Sequence, residues 1–455
     1  MTHIPELRAW RPRASSFAVA MSAVVVGVSV MSCGGGGGNT GTGGNASSTG
    51  GKGAGGGAVG PGSATGGHTT GGSTGSGGNQ ASGGAVGSGG GTGPGTGGAP
   101  GSGGATATGG ATGAGPVIGG CSILPSNHIF NTPIDALPVD PQSAAYVATI
   151  GTHNLHLDLG QSTDIAMVDT YYGIPYNVVH GKTQAWAQVH FSSADPDVSW
   201  DPRPESDCVD AASAAQHTEI SPCTAAAAAN PVFPIPAAPL VEGGVDTDPS
   251  QPYGDHHILL LDADTCVLSE LYHAYPHAGG GWDIYGSAMF DLRSNKLRTD
   301  GWTSADAAGF PILPLLLRAD EATAGHIDHA LRFTITSSKI RNAPVWPARH
   351  FTTNGTLSTN LPPMGQLFRL KAAYQIPASY NTQARAILQA MKTYGMYIAD
   401  GGSDMYVTGE PSAGWADATF SQVQSVSTSQ FEAVDLTPIH QRAGFDPDSA
   451  AVPAP

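Results

Sequence analysis

An unbroken apolar run, Ile258, Leu259, Leu260 and Leu261, is followed by a polar turn at 263–265 and then by a second run in which apolar residues are interleaved with Ser269, Glu270 and His273. This pattern predicts a hairpin of two strands, 256–262 and 266–275. Similar short runs predict strands at 174–179, 185–191, 286–292, 329–335 and 366–373. Helical spacing is convincing in one place only. Ile387, Leu388, Met391 and Tyr394 share a face over 382–394, with Asn381 or Thr382 as cap and Gly395 as stop. A strand at 396–399, a turn at 400–402 and a strand at 405–408 follow, and 303–318 reads as a short helix running into a proline-broken stretch. Many short strands with one long helix near the end predict a mostly-β fold, a β-sandwich or curved antiparallel sheet carrying an accessory helix.

The N-terminal third has a different texture. Arg8, Arg11 and Arg13 precede an apolar stretch at 17–31, too short to span a bilayer as a mature helix, so 1–33 reads as an export signal that is removed. Residues 34–120 hold 42 of the 65 glycines, and Lys52 is the only charged residue among them. With so few large side chains to bury, this tract is expected to be a disordered linker, with a root-mean-square span of roughly 50 Å. Residues 121–455 form the expected globular domain, long enough for a substantial core. This part carries 15 Lys and Arg against 34 Asp and Glu, a net charge of −19. Such a surface repels nucleic acid and argues for a neutral substrate.

Val30, Met31 and Ser32 precede Cys33, and this segment resembles the lipobox of bacterial lipoproteins. The resemblance implies acylation of Cys33 and a membrane partner engaged through lipid alone, in the cell envelope and exposed at its surface. Acyl chains contribute about 0.8 kcal/mol per buried methylene, so two or three anchor durably. The four remaining cysteines in an exported chain imply two disulfides. Cys208 and Cys223 bracket a local excursion, which leaves Cys121 to pair with Cys266. Zinc ligation by the four thiolates would need closer spacing, and no C-x-x-C pair occurs.

Candidate chemistry lies between Asp255 and His350. Period two puts Leu268, Glu270 and Tyr272 on one face of their strand and Leu271, His273 and Tyr275 on the other, so one face is expected to be wet or functional. Glu270 with Asp291 would make an acid and base pair if their strands are neighbours, and Asp306 is a further candidate carboxylate. The plainer reading makes Glu270 and Asp291 strand-end residues paired with Arg293 and Arg332. Seven histidines crowd this region, and His257, His329 and His350 are candidates for proton transfer or for converging on a metal. His326 and His329 form only an H-x-x-H spacing without the glutamate of a zinc-protease motif.

Trp282, Trp302 and Trp346 fall beside Gly281, Gly301 and Pro347, where flat rings at a cleft could take sugar faces, with Arg332 in support. The glycine-bounded loop 301–309 looks shaped around something. No nucleophile elbow, P-loop or dinucleotide fingerprint occurs in the domain, and no cofactor is expected.

Segments 301–334, 345–350 and 384–402 resemble a group of secreted proteins of actinobacteria and myxobacteria, some of which look like partners of carbohydrate-binding modules. The resemblance extends over most of 121–435 and brings no assigned catalytic residues. Together these readings predict a surface-tethered carbohydrate-active enzyme, a glycosidase or lyase on a neutral glycan. A non-catalytic glycan or cell-wall binding lipoprotein and a metal-dependent hydrolase are the alternatives.

Overall fold

The computed structural model describes residues 115–159, 173–192, 201–212, 214, 219–245, 255–352 and 355–455. Cys33 and most of the glycine tract lie outside the described residues. The hairpin forms as the sequence predicts. Ile258–Asp262 and Val267–Tyr272 pair antiparallel, flanked by Gly286–Asp291 on one side and by Tyr176–Val179, in parallel, on the other. This four-stranded sheet is apolar on both faces. Leu259, Leu261 and Leu268 pack into the larger core, while Ile258, Leu260 and Leu271 pack into a smaller one. The expected wet face is therefore covered. Both faces are buried because layers lie above and below, giving a mostly-β, sandwich-like fold.

Beyond the smaller core lies a six-stranded sheet ordered Tyr275–Pro276, Trp282–Ile284, Ala187–Phe191, Pro231–Phe233, Cys208–Asp210 and Glu219–Ile220. The returning hairpin strand stops at Tyr272 because His273 takes a φ of 54°, so Tyr275 enters this second sheet instead of continuing the first. Within the larger core lies another six-stranded sheet, ordered Phe431–Ala433, Leu367–Leu370, Met396–Gly401, Leu331–Ile335, Tyr406–Thr408 and His156–Asp158.

The helix Thr382–Thr393 is capped by Asn381, whose side chain accepts the Ala384 N–H, and it ends before Gly395 at φ 76°. It is not alone. Ser143–Ile150, Ala319–Ala324 and Asp417–Val423 are also helical. No helix forms at 303–309, where the chain makes turns instead; Leu313–Leu315 is a single 3-10 turn, and Pro311 and Pro314 delay the helix until Ala319. Two disulfides, Cys121–Cys266 and Cys208–Cys223, close as the spacing predicts. They place the domain in an oxidising, extracytoplasmic environment. Among the described residues no helix is long and apolar enough to cross a membrane.

Candidate active site

The site is built on one face of the sheet that contains Leu331–Ile335. That strand runs parallel to Met396–Gly401, with Phe333 opposite Ile398 and Thr334 opposite Asp400, so Ala399 is an extra residue. The bulge resets the alternation. Arg332 and Thr334 point to one side by period two, and their partners Tyr397 and Asp400 therefore share that side although two residues lie between them. On the other flank Tyr406 lies opposite Thr334, and His156–Asp158 extends the sheet beside Tyr406–Thr408. One face thus presents His156, Asp158, Tyr406, Thr408, Arg332 and Asp400. The opposite face, with Leu157, Val407, Phe333 and Ile398, is buried in the larger core.

The polar face lines a cavity of about 440 Å³, closed across from the sheet by Glu242, Asp255 and His257. A second cavity of about 360 Å³ is lined by Tyr272, Tyr285, Ser287, Thr303, Ser304 and Ala305 among others. Asp255, Asp400 and Gly401 line both, so the two cavities meet at a pair of carboxyl groups.

Arg332 is buried and forks onto Asp306, with Nε donating to Oδ2 at 2.9 Å and Nη2 to Oδ1 at 2.8 Å. Nη1 donates to the Thr408 hydroxyl at 2.6 Å. Burial opposes this charge, but the Asp306 carboxylate overrides it and holds the guanidinium above its ordinary value. Asp400 accepts backbone N–H groups from Gly401 at 2.6 Å and Ala307 at 3.3 Å. Burial first, and then the Asp306 carboxylate, raise Asp400 well above the usual carboxyl range, with Arg332 offsetting this only in part and the Asp255 charge adding to it. Asp400 thereby holds its proton to higher pH than an ordinary carboxyl, beside an exposed Asp255.

Behind this pair sits a buried strut. His257 Nδ1 donates to Glu242 Oε2 at 2.7 Å and Nε2 donates to the Ala305 carbonyl at 3.0 Å. Both ring nitrogens face acceptors, so the ring is an imidazolium. Burial works against that charge, yet Glu242 prevails and lifts His257 to about 9. Glu242 Oε2 also accepts the Asp255 N–H at 3.1 Å, so the pair ties the Asp255 backbone to the loop carrying Asp306. His350 Nδ1 donates to the Ala307 carbonyl at 2.9 Å, and Glu205 accepts the Thr303 N–H at 3.2 Å. The glycine-bounded loop singled out in the sequence is therefore pinned from behind and forms a wall of the second cavity.

Other candidates fall elsewhere. Glu270 is wholly buried, accepts the N–H groups of Ile312 (2.8 Å) and Leu313 (3.0 Å), and lines neither cavity. Burial lifts it to about 7, while those amides pull it down. Asp291 is not brought to it: Glu270 pairs with Ala288 and Asp291 with Val267, about 10 Å further along the strand. Asp291 forms an ion pair with Arg293 at 2.8 Å on the surface and borders a separate cavity of about 270 Å³.

The three histidines do not converge. His257 and His350 hold neighbouring carbonyls of one loop, whereas His329 is buried against Arg318 and Glu321. Among the described residues no three His, Cys, Asp or Glu side chains are disposed to hold a metal ion.

The tryptophans are placed by packing. Trp282 lies in a strand against the smaller core, and Trp346 packs on His440 and Phe445 with its N–H donated to the Ser449 carbonyl. Trp302 lies beside the Arg298 guanidinium, on the separate cavity. The rings that wall the two joined cavities are instead Tyr406, stacked on His156 at 4.0 Å, and Tyr272 with Tyr285. Asp255, Asp400, Glu242 and these tyrosines are not among the site residues read from the sequence, although His156-x-Asp158, Arg332-x-Thr334 and Tyr406-x-Thr408 carry the signal of a polar sheet face. No family model matches this chain, and neither a curated protein nor a solved structure does.

Proposed function

We propose that the domain is a glycoside hydrolase acting on a neutral glycan, with Asp400 as general acid and Asp255 as its carboxylate partner. The observation that carries this reading is the meeting of two cavities at that pair, one member holding its proton to higher pH through burial and the Asp306 charge and the other exposed. Cleavage of a glycosidic bond needs this division of labour. Asp400 protonates the leaving oxygen, while Asp255 either directs a water at the anomeric carbon or attacks it.

The walls support a neutral substrate. Asp158, Glu205 and Asp255 line the cavities, Glu242 is matched by the His257 imidazolium, and the guanidinium there, Arg332, is already spent on Asp306 and Thr408. A polyanion would find repulsion there, and so would the uronate that an elimination reaction requires, which favours hydrolysis over a lyase. Tyrosine faces suit the apolar faces of sugar rings. We further propose, from the lipobox resemblance, that Cys33 is acylated and holds the domain at the cell surface.

The test is a panel of neutral and anionic polysaccharides read for new reducing ends. A neutral polymer is expected to be cut by the wild-type protein and left intact by Asp400→Asn. The tyrosine walls also fit a glycan-binding lipoprotein without chemistry, and retention on a polymer with no reducing ends formed would establish that reading in place of the first.

A further inference from the structure

The two cavities each have their own ring wall and share only the boundary formed by Asp255, Asp400 and Gly401. At about 440 and 360 Å³ each falls in the range that holds one small ligand, roughly 300–1,000 Å³. A pocket for a chain end needs one such cavity beside the reacting groups. Here there are two that share those groups as a boundary, and Asp255 in it is exposed, so the junction reaches solvent where a chain could cross it.

Resting on the reading of Asp400 and Asp255 as the reacting pair, we infer that the cavities are subsites on opposite sides of the scissile bond, and that the protein grips an internal stretch of a polymer and cuts it endo-fashion. Tyr406 with His156 holds the chain on one side and Tyr272 with Tyr285 on the other. Each side then contributes its own increment of affinity, and only a chain long enough to fill both gains the sum.

Two measurements on the full chain test this. Binding of cello-, xylo-, manno- and laminari-oligosaccharides, from disaccharide to hexasaccharide, to Asp400→Asn is expected to tighten with length in two steps. Tyr406→Ala and Tyr272→Ala should each remove one step, about a tenfold loss for the longest oligosaccharide, with Tyr→Phe at either position restoring it. Digestion of a borohydride-reduced polymer by the wild-type protein should release intermediate lengths, with viscosity falling ahead of reducing ends.

A length-independent affinity would overturn the inference. So would release of one small product from a chain end with resistance of end-blocked chains, and that outcome leaves glycoside hydrolysis standing. Stepwise binding with no cleavage would do the reverse, supporting the two-sided groove and removing the hydrolase reading. Absence of binding to every oligosaccharide would remove both.

Discussion

Glu270 and Asp400 are both raised by burial, and their surroundings assign them different work. Glu270 meets two backbone amides and no cavity, so its shift is a matter of stability. Its folded value of about 7 lies above the unfolded 4.5. The protonated form is the one the fold prefers, so this contribution is complete below pH 4.5 and is lost as pH rises through 7, on the order of 3 kcal/mol. Glu270→Gln keeps an oxygen for the amides and has no proton to lose. Relative to wild type, its melting temperature should therefore improve between pH 5 and pH 8, and parallel wild-type and variant curves would count against the assignment. Asp400 faces the cavities, so its shift appears in rate. Being raised, it stays protonated to higher pH than an ordinary carboxyl, and activity should fall as pH passes its folded value. Asp400→Asn should lower kcat by about 10²–10⁴-fold, typical of a lost general acid, and abolish that alkaline limb. A variant of full activity, or one retaining the limb, would exclude Asp400 as the acid.

At the scale of elements, what was legible in the sequence was local. The hairpin around 263–265 could be read from one polar turn between two apolar runs, and the helix Thr382–Thr393 from its spacing, its Asn381 cap and its Gly395 stop. The site was hidden because it depends on pairing between distant segments. His156–Asp158 and Tyr406–Thr408 are three residues each, too short for periodicity, and they meet only across some 250 positions. The bulge at Ala399 compounds this, since strict alternation would turn Asp400 away from Arg332 and no residue type announces the extra position. Glu270 misled for the opposite reason, because an acid on an alternating strand reads as a wet face when one side of the sheet is assumed open. Pairing of distant segments also gives the Cys121–Cys266 bridge its weight. It joins residues 145 apart, tying the short hairpin of Val117–Ile118 and Cys121–Ser122 to the strand beginning at Val267. In the chain-entropy view a loop of that length contributes about 5 kcal/mol, against about 3 for the 15-residue separation of Cys208–Cys223. Replacing Cys121 and Cys266 by Ser should lower the melting temperature more than the same change at Cys208 and Cys223. An equal or reversed order would mean that the longer loop is already constrained in the unfolded chain.

For the molecule as a whole, the domain's charge, its disulfides and its proposed anchor bear on one another. The described residues contain no helix able to cross a membrane, and the region from Cys121 onward carries a net −19, which disfavours adsorption to anionic headgroups. The anchor proposed above, Cys33, lies outside the folded domain. Only 87 residues of glycine-rich sequence separate it from Cys121, and they carry the single charge of Lys52, so they add no polybasic attraction to a lipid surface. In the proposed anchoring, attachment rests on acyl chains alone. Cys33→Ser should abolish incorporation of labelled palmitate and shift the full chain from the membrane fraction to the soluble one. Because both disulfides and both cavities are built from residues 121–455, the variant's kcat/KM on a soluble oligosaccharide should match wild type. Its turnover of a polymer fixed in the cell wall should fall, since the tether supplies local concentration and the −19 domain has no electrostatic means of replacing it. Membrane retention of the Ser variant at unchanged levels would show that another part of the chain holds the lipid surface, and would remove the anchoring role of Cys33.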